Sequence, residues 1–111
     1  MGEVRLTTAV VKVLAALLQE PTVERYGLDL MRATGQPSGT LYPILVRLQQ
    51  AGWVSARWED TDPVETGRPA RRYYRLTPLG ITEARRELAA LHQELNRVTG
   101  GPVQPRLAGP A

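Results

Sequence analysis

The chain has 111 residues, a formal net charge of +3, 42% hydrophobic and 23% charged residues, which fits one globular domain with a modest core. It has no cysteine, so disulfides, thiolate catalysis, thiol-based redox sensing and cysteine metal sites are excluded. No apolar run reaches the length of a membrane helix and no secretory leader opens the chain, so a cytoplasmic location is expected.

Thr7 or Thr8 is placed to cap a first helix, in which Val10, Val13, Leu14, Leu17 and Leu18 recur at helical spacing until Pro21. Thr22 is placed to cap a second helix with Tyr26, Leu30 and Met31 on one side, and Gly35 is its expected stop. Gln36-Pro37-Ser38 then reads as a turn.

The third helix carries the most information. Proline deep in a helix loses a hydrogen bond and clashes with the carbonyl four residues back. Pro43 therefore places the start of regular helix near Ser38 to Thr40. Leu41, Ile44, Leu45 and Leu48 form an inward stripe, Thr40, Pro43 and Arg47 share another face, and Gly52 ends the helix. Small and polar groups first and a charge last, followed by a basic hairpin, is how small proteins place side chains in the DNA major groove. Arg47 is the expected base-reading or phosphate-positioning residue. Ser38, Gly39 and Thr40 sit where unpaired backbone N–H groups at a helix start would take a phosphate, or where plain capping would use them. The Tyr42 hydroxyl has two outlets, a DNA phosphate or packing of its ring near Tyr26.

Two β-like segments follow, 53–59 and 71–77, joined by an extended tip holding Pro63, Gly67 and Pro69. Arg68, Arg71 and Arg72 flank this hairpin, either for phosphate contact or for local pairing with Asp60, Asp62 or Glu65. Trp53 and Trp58 read as core packing rather than as the wall of a ligand pocket. Thr77-Pro78 opens the last helix, expected to run to about Val98. Along it Ile81, Ala84, Leu88, Leu91, Leu95 and Val98 alternate spacings of three and four, the seam of a coiled coil, which predicts a homodimer. From Gly100 the glycine- and proline-rich residues 100–111 read as a disordered tail. The expectation is a mainly α (α+β) fold: a winged helix-turn-helix over 1–77 with an added C-terminal dimerisation helix over 78–99.

At this point the chain resembles the PadR family of transcriptional regulators, in particular its shorter members with one C-terminal helix. The resemblance rests on Tyr26-Gly27, on Gly39-Thr40-Leu41-Tyr42-Pro43 with Leu45, Arg47, Leu48 and Gly52, on 67–74, and on Leu76-Thr77-Pro78-Leu79-Gly80. It implies a dimeric DNA-binding repressor, often responsive to a small molecule, with the third helix in the major groove and the wing on the flanking backbone. It also allows Tyr26 a phosphate contact. Trp53 departs from the family pattern, which more often has an aliphatic residue there. The tip, with Glu59, Asp60, Asp62 and Glu65, is unusually acidic.

The expected partners are double-stranded DNA, a second copy of the chain and a small-molecule inducer. No membrane partner, cofactor or metal is expected, because His92 is the only histidine and has no companion ligands. The alternative is a winged-helix protein-protein interaction module without specific DNA binding. An enzyme finds no support, since no nucleophile-base pair, phosphate-cradling loop or paired carboxylates stand out.

Overall fold

A computed structural model describes residues 4–100. Thr7 caps α1 (Thr8–Gln19) by accepting the Val10 N–H, and Val10, Val13, Leu14, Ala16 and Leu17 are its buried residues. The chain then turns, with the Val23 N–H donating to the Glu20 carbonyl. It next enters a two-residue strand β1 (Arg25–Tyr26) rather than the helix expected after Thr22. Helix α2 (Gly27–Thr34) begins only at Gly27, with Tyr26 at the N-cap position and no side-chain cap. Gly35 ends it in the left-handed region at φ 70°. Gln36 is buried in the turn, and its Nε2 donates to the Ala9 carbonyl on α1 at 3.0 Å, tying the turn to the first helix.

Helix α3 (Ser38–Gln50) buries Leu41, Ile44, Leu45 and Leu48. It starts within the expected window, which puts Pro43 in the second turn. Gly52, at φ 79°, reverses the chain, and the Trp53 N–H returns to the Leu48 carbonyl. Strand β2 (Val54–Trp58) pairs antiparallel with β3 (Arg72–Leu76), from Val54↔Leu76 to Trp58↔Arg72. Strand β1 adds to the other edge of β3 with Tyr26↔Tyr73, so the sheet has three strands in the order β1-β3-β2. The tip, expected to be extended, contains the single-turn helix α4 (Pro63–Thr66), capped by Asp62 and closed by Gly67.

Helix α5 (Pro78–Thr99) has 22 residues, about 33 Å. Ala84 is fully buried in the protomer's own core, flanked by the partly buried Ile81 and Leu88. Ala84 is therefore not available to a second copy, which corrects its assignment to an intermolecular seam. The distal turns differ, since Leu95 is 54% and Val98 76% exposed. Trp53 is buried, as expected, but Trp58 is 62% exposed and does not belong to the core. The tail expected over 100–111 lies, from 101 on, outside the described residues. No helix among the described residues is long and apolar enough to cross a membrane.

One junction joins these parts. Thr77 Oγ1 donates to the Gly52 carbonyl at 2.6 Å and accepts the Gly80 N–H at 2.9 Å, while the Thr77 N–H donates to the Trp53 carbonyl at 2.9 Å. The helix start at Gly80 presses so closely on the residue before β2 that an added Cβ would stand 1.9 Å from the Trp53 carbonyl oxygen. That oxygen is backbone and cannot swing aside. Gly80→Ala is expected to lower stability by about 1–3 kcal/mol in denaturant unfolding, the usual cost of overpacking. A variant as stable as the parent would show that the junction yields.

Candidate nucleic-acid interface

The α3 face opposite the leucine stripe is open. Ser38, Gly39, Thr40, Pro43 and Arg47 are all exposed, and Arg47 makes no ion pair among the described residues. Pro37 occupies the N-cap position and no side chain caps the helix, so Ser38 does not act as a cap. The N–H groups of Ser38 and Gly39 consequently have no partner among the described residues. Such a terminus carries a partial positive charge and free donors, the two requirements of an anion site.

Tyr42 combines features of both outlets open to it in the sequence. It is 39% exposed, and its hydroxyl has no hydrogen-bond partner among the described residues. At the same time its ring lies against the start of α2, so close that a Cβ on Gly27 would stand 1.9 Å from the hydroxyl oxygen. Glycine at 27 is what lets α3 and α2 approach there. The ring thus packs beside Tyr26-Gly27 while the hydroxyl remains free to bond a further group.

The wing arginines are not equivalent. Arg68 forms a fork with Glu59, Nη1 to Oε1 at 2.7 Å and Nη2 to Oε2 at 3.0 Å. Its partner is thus Glu59 and none of Asp60, Asp62 or Glu65. The Tyr73 hydroxyl donates to the same carboxylate at 3.1 Å and the Arg71 N–H lies 3.4 Å from it. Arg71 instead stacks its guanidinium 4.3 Å from the centre of the Tyr26 ring, and Arg72 sits 5.1 Å from that of Trp58. Tyr26 in turn meets Tyr73 edge-on, with centroids 6.1 Å apart. Aromatic faces orient Arg71 and Arg72 without neutralising them. Between this wall and α3 runs a groove of about 610 Å³ that includes Tyr26, Tyr42, Trp58, Arg71 and Arg72. On the outer edge Arg57 is bound by Glu24 at 2.6 and 2.7 Å, which leaves that charge compensated.

Comparison with known proteins gives the family of this fold. The model of the transcriptional regulator PadR-like family matches residues 13–86. The chain belongs to the PadR-like family. A PadR-like transcription factor from Bacteroides fragilis is 30% identical with a TM-score of 0.67, over 84% of this chain and 87% of that one. A PadR family regulator from Eggerthella lenta is 26% identical with a TM-score of 0.66, over 79% and 78% of the two chains. Bordetella bronchiseptica BpsR, whose DNA binding is regulated by 6-hydroxynicotinic acid, shares the fold at 22% identity and a TM-score of 0.67, over 91% of this chain and 66% of that one. Among curated proteins no match is found.

Placed in a PadR-like frame, the groove between α3 and the wing brings together Tyr26, Tyr42, Arg71 and Arg72. Arg47 lies away from it, on the α1 side of α3 near Val10 and Ile44. Reading the sequence alone missed Glu59 as an organiser of the wing and counted it only with the acidic tip. The legible signal was cross-strand proximity, because Glu59 directly follows Trp58, the residue that pairs with Arg72. It also missed Val46, which is 49% exposed on α3.

The Arg68 fork, with help from the Arg71 N–H and the Tyr73 hydroxyl, lowers the Glu59 carboxyl from the usual 4.5 to about 2. A depressed folded value means that the stabilisation is complete above the unfolded value and is lost as pH falls through the folded one. The wing is therefore expected to stay ordered at pH 4.5 and to loosen towards pH 2. NMR titration of the Glu59 carboxyl should show a midpoint near 2, and a midpoint near 4.5 would contradict the fork.

Proposed function

We propose that this PadR-like regulator is a transcriptional repressor that binds an inverted-repeat operator as a homodimer in the cytoplasm. Residues 4–77 would read DNA and α5, from residue 78, would pair the two copies. The observation that carries the reading is a groove that Tyr42 of α3 shares with Arg71 and Arg72, two arginines without carboxylate partners among the described residues. The uncapped start of α3, with the free N–H groups of Ser38 and Gly39, adds donors on the same helix. Arg47, also unpaired, adds a cation on the far flank of α3. Leu95 and Val98, exposed on the distal half of α5 and in line with Leu91, support pairing of two copies there. A pair of identical reading heads matches a two-fold symmetric site.

Release by a small molecule is the finer part of the proposal. BpsR responds to an aromatic acid, and here a cavity of about 290 Å³ lies between the segment before α1 and α3. Val4, Val10, Ile44 and Leu48 line it, with Arg47 at its edge. A ligand there would act directly on a side chain of the DNA-facing helix. The second reading, an interaction module that binds no DNA, draws on Asp60, Asp62 and Glu65 at the exposed wing tip.

Salt dependence separates the two readings. Titration against DNA from upstream of the protein's own gene is expected to give an affinity that falls steeply with salt, because each neutralised phosphate releases a counterion. Arg71→Ala with Arg72→Ala should flatten the log-log slope by about two units, roughly one per phosphate contact. Arg47→Ala should weaken binding by about 1–3 kcal/mol. Binding without salt dependence would favour the interaction module, and an unchanged slope in the double variant would remove the wing from the interface.

A further inference from the structure

The outermost ridge of α3 is apolar over its first three turns. At about 100° per residue, the direction opposite Leu41, Ile44, Leu45 and Leu48 falls on Gly39, Pro43, Val46 and, in the last turn, Gln50, at spacings of four, three and four. None of the first three side chains can donate or accept a hydrogen bond. The polar Gln50 ends the ridge at the last residue of α3, and polar groups flank its first three residues, Thr40 and Arg47 on one side and Tyr42 on the other. Gly39, Pro43 and Val46 are all exposed, and Val46 is 49% so. The ridge begins at the uncapped N–H groups of Ser38 and Gly39, which are suited to a phosphate.

The major groove presents mostly donors and acceptors, which an apolar ridge cannot satisfy. Burying them against valine would leave them unpaired. One apolar feature exists there, the C5-methyl group of thymine. We propose that Pro43 and Val46 read thymine methyl groups, so that each half-site carries A·T pairs with thymine facing this ridge. The inference rests on α3 being the helix that enters DNA. Glycine at 39, with no side chain, lets the first turn approach the groove floor. Pro43 and Val46 lie about 4.5 Å apart along the axis, so their thymines fall within about two base-pair steps. The opposed charges that would favour a protein groove are absent from the ridge, and its cationic surroundings, Arg47, Arg71 and Arg72, favour a polyanion.

The full chain is first used to select duplexes from a random-sequence pool, and the selected site is then remade with single thymine-to-uracil replacements. Uracil lacks only the methyl group and pairs identically. At thymines facing the ridge the parent protein should lose about fourfold in affinity per methyl, the value of one buried CH₂. Val46→Ala should bind the thymine and uracil duplexes alike at one of these positions and keep the parent's salt slope. Val46 is exposed, so this variant is not expected to disturb folding. The inference is overturned if uracil leaves the parent's affinity unchanged at every position, or if Val46→Ala keeps the full penalty at each of them. Selection of sites without thymine would overturn it while leaving DNA reading intact. Failure to select any sequence would overturn DNA reading itself, and this inference with it.

Discussion

The arrangement of α3, wing and α5 depends on the contact between Thr77 and the Gly52-Trp53 backbone. A single hydroxyl closes the end of the reading helix and caps the start of α5, while the neighbouring N–H holds the first residue after the turn. The end of α3, the root of the wing and the base of α5 therefore meet within one hydrogen-bonded unit. Gly80 permits the close approach that this needs. The wing cannot rotate about α3 without breaking bonds to the helix that is proposed to join two copies. Any signal reaching α5 has a short mechanical path to the wing that carries Arg71 and Arg72.

Within the wing, charge is sorted by its partners. Glu59 takes Arg68 and Glu24 takes Arg57, so two of the guanidinium groups work as braces for the hairpin. Arg71 and Arg72 are oriented by Tyr26 and Trp58 and keep their full charge towards the groove. Ion pairs near a protein surface contribute little to stability. Their effect here is positional: the fork at Glu59 fixes the strand end from which Arg71 and Arg72 extend. The acidic tip thus reads differently in three dimensions, because its first member is consumed by the wing itself.

The elements legible in the sequence are those with a local period and end signals. The stripes of α1 and α3, the Thr7 and Thr77 caps and the glycine stops are all present as expected. Strand β1 was not legible, since two residues carry no period and are held by pairing with Tyr73 and Tyr74, far along the chain. Thr22 has the right chemistry for a cap, but the chain spends that position on a turn. Helix α4 did leave a signal, aspartate then proline then glycine, which three loop-forming residues in the tip obscured. The even spacing along α5 concealed a change of partner. Its small residues, Gly80 and Ala84, mark where the helix presses on its own domain, and in the distal turns the larger Leu95 and Val98 stand free. On α3 the face traced from Thr40, Pro43 and Arg47 shares Pro43 with the neighbouring ridge that carries the exposed Val46, which that spacing did not include.

The function proposed for this PadR-like regulator is that of a paired reader of DNA. Hydroxyl-radical footprinting of the full chain on DNA upstream of its own gene tests that claim most directly. The account predicts two protected patches related by two-fold symmetry and separated by about one helical turn, roughly 34–36 Å. A single unpaired patch, or no protection at any concentration that saturates the protein, would contradict it.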